Sequence, residues 1–278
     1  MIAAMKTGYV EVNALRMYYE IHGDGRPVVL LHGALSAIGT SFGKLIPELA
    51  KDHQVIALEM QGHGRTADVD RPFQLDGMAD DTVAALRKLG VAKADVFGYS
   101  LGAGVALNIA IRHPEFVAKL VLASVTYNLD GFHPGLLEGI SNLKPEMMVG
   151  SPWQQEYAQI APHPEAFAAL VQKIQGLNAS IASWPADAIR SIQSAKPAGV
   201  WRFRHHPSRS CRGDVWTSRG WHQRRYARWV ATIEPGDSAR HVSYDGRGPS
   251  RAVVADAHLL PEMTREEITD EESLPCDS

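Results

Sequence analysis

Gly98-Tyr99-Ser100-Leu101-Gly102 stands between a short apolar run, Asp95-Val96-Phe97, and an apolar stretch with helical character, residues 104–111. The five residues have the form G-x-S-x-G, and their context is a strand followed by a helix. A chain that turns this sharply tolerates only small residues two positions either side of the serine. The turn projects the Ser100 hydroxyl clear of the carboxyl end of a sheet. The helix that begins there offers free N–H groups and a positive dipole end to a developing oxyanion.

The flanking sequence supplies a sheet of the right kind. Residues 28–31 and 55–58 are short, wholly apolar runs, and residues 96–97 and 120–123 repeat the pattern. Strands covered by helices on both faces look like this. Between them, Leu45, Leu49, Met78, Val83, Leu86 and Leu89 fall at helical spacing, with Gly90 as a stop. His113-Pro114 ends the helix that follows Ser100. Residues 10–12 and 15–21 read as an antiparallel pair around Asn13-Ala14. Strands alternating with helices imply an α/β fold with a mostly parallel sheet.

A second motif, His32-Gly33-Ala34-Leu35, lies just past residues 28–31 and so at the same sheet edge. A backbone N–H there, that of Ala34, can join the Leu101 N–H as an oxyanion hole. Gln61-Gly62-His63-Gly64-Arg65-Thr66 forms a glycine-rich loop after the next strand. With V-V-L-L-H-G-A, Q-G-H-G-R-T, G-Y-S-L-G-A-G and R-H-P-E-F-V-A-K-L-V-L in this order, the chain resembles the α/β-hydrolase fold family over residues 10–129. The resemblance implies a serine hydrolase, active on an ester or related acyl substrate, with Ser100 as nucleophile, a histidine as base and an Asp or Glu to orient it. A serine at this position disfavours the family's dehalogenase and epoxide hydrolase branches. His32 is expected to shape the oxyanion loop by hydrogen bonding, His63 to be a loop residue, and His113 to suit a helix's carbonyl end.

The bulk composition excludes several classes. The 278 residues are 45% hydrophobic and 21% charged with a formal net charge of -3, so a nucleic-acid or membrane partner is not expected. Two cysteines, Cys211 and Cys276, are too few for a disulfide framework or a cysteine metal site. No apolar run approaches the ~20 residues that span a bilayer, and no h-region follows Lys6. The expectations are a cytoplasmic protein with no cofactor or metal and a small-molecule acyl substrate; oligomeric state has no signature. Three regions are expected: an α/β-hydrolase core over residues 1–126, a helical cap over 127–192, and an aberrant, poorly ordered region over 193–278 in place of the last core strands and helices.

The last region breaks the pattern. Residues 1–190 contain seven Arg, whereas residues 201–229 contain eight, with four of the chain's six Trp. The family's acid and histidine segments are absent in their usual form. Read one base further on, residues 200–219 can encode S-G-D-F-A-I-I-R-P-E-A-A-V-E-M-F-G-L-L, and residues 235–242 can encode P-G-T-A-H-V-T. Residues 246–261 can encode a further apolar segment, and Met263-Thr264 then forces a stop. We read this as a displaced reading frame starting near residues 197–200, with the acidic tail 264–278 as read-through. In the frame as written, His258 in A-H-L-L-P-E-M is the candidate base, His241 its rival, and Asp130 an alternative acid. Arg interleaved with Trp could suit nucleic acid, and His205-His206 with Cys211 a metal, but the displaced frame explains both. The competing readings are a working serine hydrolase, a catalytically dead family member, and a ligand-binding protein on the same scaffold.

Overall fold

The computed structural model describes residues 5–132, 134–181 and 183–192, with two three-residue strands beyond them. The first elements are strands β1 (Lys6–Val12) and β2 (Leu15–His22), joined at Asn13 and Ala14, whose φ of 47° and 64° make the tight turn. Strand β3 (Arg26–Leu31) leads through helices α1 (Ile38–Phe42) and α2 (Ile46–Leu49) to β4 (His53–Leu58). Helix α3 (Leu75–Lys88), strand β5 (Ala94–Tyr99), helix α4 (Leu101–Arg112) and strand β6 (Val117–Ala123) follow.

The six strands form one sheet in the order β1-β2-β4-β3-β5-β6. The pairs β3–β4, β3–β5 and β5–β6 are parallel, and β1–β2 and β2–β4 antiparallel. Alternate residues of the central strands face opposite layers. Val29, Leu31, Ile56, Leu58 and Val96 pack with Met78, Val83, Leu86, Val105 and Ile109 from α3 and α4. Val28, Leu30, Val55 and Ala57 pack with Ile38, Phe42, Ile46 and Leu49 from α1 and α2. Each large apolar side chain fully buried this way contributes about 1.5–3 kcal/mol. This two-sided cover is why the strands read as unbroken apolar runs. Among the described residues β6 ends the hydrogen-bonded order of this sheet, the short strand Val253–Ala255 lies close beside it, and Leu120, Val121 and Leu122 are buried.

Residues 136–190 carry four helices: α5 (Leu136–Ser141), α6 (Pro152–Ile160), α7 (Phe167–Ser180) and α8 (Ala186–Arg190). The segment's entry and exit are tied together. The Trp184 N–H donates to the Tyr127 carbonyl at 2.8 Å, and the Leu129 N–H to the Ser183 hydroxyl at 3.1 Å. Beyond it, β7 (Val200–Arg202) pairs antiparallel with β8 (Val253–Ala255), a short ladder where no strand is expected from sequence. The rest of the expectation for 193–278 lies outside the described residues. Among the described residues no helix is long and apolar enough to cross a membrane.

Candidate functional site around Ser100

Strands β3 and β5 are parallel neighbours in register, with Leu31 opposite Gly98. They therefore end together, and the chain leaves β3 towards Ala34 and β5 towards Ser100 from one edge. Crevices at the carboxyl ends of parallel strands are where such sheets bind ligands. Ser100 occupies the corner with φ 52° and ψ -112°, a left-handed conformation costly for a residue with a Cβ. Its N–H donates to the Ala123 carbonyl of β6 at 2.9 Å, and its carbonyl accepts from Ala103 and Gly104 as α4 begins. The glycines either side are required by space. A Cβ on Gly98 would lie 2.3 Å from the Gly102 carbonyl oxygen, and one on Gly102 would lie 2.1 Å from that of Leu31. Ser100 itself is partly exposed.

The loop after β3 is fixed from several directions. His32 is fully buried; its Nδ1 is 2.8 Å from the Gly33 carbonyl, and its Nε2 accepts the Met60 N–H at 3.0 Å. The second bond requires an unprotonated Nε2, so Nδ1 carries the hydrogen and donates it. Burial, with His63 nearby, pushes the imidazole down to about 3, against the bond to Gly33. Both nitrogens are committed, which leaves His32 no part in proton transfer. The Gly102 N–H donates to the His32 carbonyl at 3.0 Å and docks α4 on this loop. The Ser36 hydroxyl donates to the Gly33 carbonyl at 2.8 Å, and Leu35 takes a φ of 62°. Among the described residues, the N–H groups of Ala34 and Leu101 have no recorded acceptor.

Beneath the loop lies a layer of buried polar groups. His63 is fully buried, with Nδ1 2.8 Å from the Gln61 carbonyl and its ring against His32 and Phe73. Burial pushes it down to about 4. Its Nε2 has no hydrogen-bond partner among the described residues. The Glu59 carboxylate, also fully buried, accepts from the Arg65 N–H and the Arg65 guanidinium, and over a long 3.5 Å from the Ile38 N–H. Burial pushes its carboxyl up to about 7, and those donors pull the other way.

Of the residues singled out from sequence, Ser100, Leu101, Ala34 and His32 are brought to one sheet edge. His63 sits in the loop as expected, and His113 ends α4, with its Nε2 2.8 Å from Asp80. Asp130 lies exposed in a short turn, with no imidazole hydrogen-bonded to it among the described residues. No imidazole hydrogen-bonds Ser100 among the described residues. His258 and His241 lie outside the described residues, as do Cys211, His205 and His206. Sequence reasoning missed Glu59, although a carboxylate closing the apolar run V-I-A-L was the available signal. No group of three or more potential metal ligands occurs among the described residues.

Known proteins share this architecture. The sequence profile described as alpha/beta hydrolase fold matches residues 26–204. The 2-hydroxymuconate semialdehyde hydrolase of Pseudomonas sp. (strain CF600) is 36% identical over 129 residues, 42% of this chain and 46% of that protein. The pyrrolizixenacetamide deacetylase of Xenorhabdus hominickii is 34% identical over 113 residues, covering 41% and 42%. The chain thus spans less than half the length of these curated relatives. Among solved structures, a serine hydrolase involved in carbazole degradation (CarC enzyme) is similar with a TM-score of 0.54 at 24% identity, covering 68% of this chain and 77% of that one. The epoxide hydrolase CorEH gives 0.54 at 21% identity, covering 63% and 74%, a likeness of fold alone. Sheet order, the strained turn at Ser100 and a profile match over more than half its length agree: this chain belongs to the alpha/beta hydrolase fold family.

Proposed function

We propose that the chain carries the nucleophile and oxyanion donors of a serine hydrolase acting on a small ester or related acyl compound. One observation carries this reading. Ser100 is held in a strained corner at the end of β5, in register with a loop whose Ala34 N–H has no recorded acceptor among the described residues. Non-glycine residues held in such sparsely populated conformations cluster at active sites, and this one lies at the carboxyl end of a central strand. In the reaction, the Ser100 Oγ attacks the acyl carbon and its proton passes to a base. The carbonyl oxygen gains charge and accepts hydrogen bonds from the Ala34 and Leu101 N–H groups. The alcohol then leaves with a proton, and water releases the acid from the acyl-enzyme. In the frame as written, His258 is the candidate base.

The helices of residues 136–190 serve in this reading as a cap over the site. Tyr157, Phe167, Leu170 and Ile174 of α6 and α7 belong to the same continuous apolar core as Leu35 and Leu101, so the helical segment packs on the core with an apolar face. Where such a face borders the site, it suits an apolar acyl or alkyl group.

A second reading rests on the Arg- and Trp-rich sequence of residues 201–229, where the family's acid segment belongs. In it the nucleophile and oxyanion donors persist, but the acid and base were lost with the reading frame. A fluorophosphonate probe and a chromogenic short-chain ester separate the two. Labelling of Ser100 with turnover, both lost in Ser100→Ala, supports the first reading; neither labelling nor turnover supports the second.

A further inference from the structure

We infer that Glu156, on α6, is a positioning residue for the oxyanion loop, acting as a strap from the helical segment to the loop's exit. The inference rests on the reading of Ala34 as an oxyanion donor. The Glu156 carboxylate accepts the Thr40 N–H at 3.0 Å through Oε1 and at 3.3 Å through Oε2, and the Thr40 hydroxyl at 2.5 Å. The contact joins residues 116 positions apart, and α1 and α6 meet there. Space has been left for it: a Cβ on Gly39 would lie 2.3 Å from the Glu156 Oε1.

The strap reaches Ala34 through a short chain of bonds. A hydroxyl has one hydrogen to give. With that hydrogen on Glu156, the Thr40 Oγ1 turns a lone pair to the Ala37 N–H, which donates to it at 3.2 Å. Without Glu156, the hydrogen is free to swing to the Ala37 carbonyl, 3.5 Å away, where the bond is longer and weaker. Next to Ala37, the Ser36 hydroxyl donates to the Gly33 carbonyl at 2.8 Å and accepts from the Ser41 hydroxyl at 2.7 Å. The turn that follows Ala34 is thus held at Gly33 by Ser36 and at Ala37 by Thr40, and only the second hold depends on the helical segment. A charged acceptor makes these bonds stronger than neutral ones. A donor meant for a transition state must be held to a fraction of an ångström, so loosening this turn acts on reactivity more than on folding.

The test uses the full chain with Glu156→Ala, Glu156→Gln and Gly39→Ala. Two quantities are read: amide hydrogen exchange over residues 33–41, and the rate of fluorophosphonate labelling at Ser100. The expected result is faster exchange at Ala37, whose N–H donates to the Thr40 hydroxyl, as well as at Thr40 in Glu156→Ala. Labelling should slow by about tenfold, with partial rescue in Glu156→Gln, which keeps one acceptor oxygen. Gly39→Ala, whose Cβ pushes the Glu156 carboxylate aside, should give a smaller effect of the same sign, and none in the Glu156→Ala background. Exchange that rises only at Thr40, or not at all, overturns the strap whether or not Ser100 reacts. A wild-type chain that takes no label counts against the hydrolase reading, while the exchange comparison still decides the strap.

Discussion

The Lys173 ammonium of α7 stands 2.6 Å from the Asp68 carboxylate and donates to the carbonyls of Val69 and Arg71 at 2.8 and 2.7 Å. The same carbonyls accept from the Gln61 side chain, whose oxygen accepts from Arg71, itself paired with the buried Asp81. Lys173 therefore docks a helix of the 136–190 segment onto a loop of the core by satisfying main-chain oxygens, which Met cannot do. Lys173→Met should cost about 2 kcal/mol, the range for partly buried hydrogen bonds to a charged group. A urea titration followed by far-UV circular dichroism measures this. A change within error would mean that the apolar packing of α7 alone holds the segment.

The strain at Ser100 orders the stability of two variants that both lack the nucleophile. Ser100→Ala keeps a Cβ at φ 52° and so keeps the strain, whereas Ser100→Gly releases it. After the entropy that glycine adds to the unfolded chain, Ser100→Gly should exceed Ser100→Ala in stability by about 1 kcal/mol. Neither should take a fluorophosphonate label. Equal thermal midpoints would show that the corner is unstrained.

The buried titratable groups below the loop set a pH profile. His32 and His63 stay neutral in the fold down to about 3 and 4, while unfolded imidazoles take protons below 6.5. Their contribution is therefore present above pH 6.5 and lost as pH falls. Glu59 runs the other way. Its carboxyl holds a proton up to about 7 in the fold but only up to 4.5 unfolded, so its contribution is present below 4.5 and lost as pH rises through 7. From pH 4.5 to 6.5 the two imidazoles outweigh the one carboxyl, and stability should rise with pH. Glu59→Gln removes the opposing carboxyl, so its unfolding free energy from urea titration should rise more steeply with pH than that of wild type over that interval. Parallel profiles for wild type and variant would place Glu59 in its ionised form throughout.

How much of this was legible in the sequence depended on how local the cause was. The strands at residues 28–31 and 55–58 announced themselves because burial on both faces forces an unbroken apolar run. Ser100 was legible because its corner admits only glycine at 98 and 102. Asn13-Ala14 was legible as a turn between strands. Glu156 and Lys173 were not: each is an ordinary charged residue on a helix, and its partner lies 116 or about a hundred positions away. Such contacts depend on how the helical segment sits on the core, which no periodicity encodes. His63 was read correctly as a loop residue, but its buried Nε2 without a described partner depends on three-dimensional enclosure.

The last prediction concerns the frame of residues 200–261. With its free third bases, the shifted frame can spell an acid-bearing segment, then a histidine-bearing one, then an apolar one, ahead of a forced stop, and that order motivates the test. The hydrogen-bonded order of the described sheet ends at β6, which is where further parallel strands of this family would add. A gene with the downstream codons read one base further should therefore encode a chain that hydrolyses a chromogenic short-chain ester. Its rate should exceed that of the present chain by about 10³-fold or more, the scale on which loss of a triad member acts. Ser100→Ala should abolish that activity in the restored chain. In the chain as written, His258→Ala should remove whatever turnover exists if His258 is the base, and leave it unchanged if the frame is displaced. A restored chain no more active than this one, or a large loss in His258→Ala, would place the base in the frame as it stands.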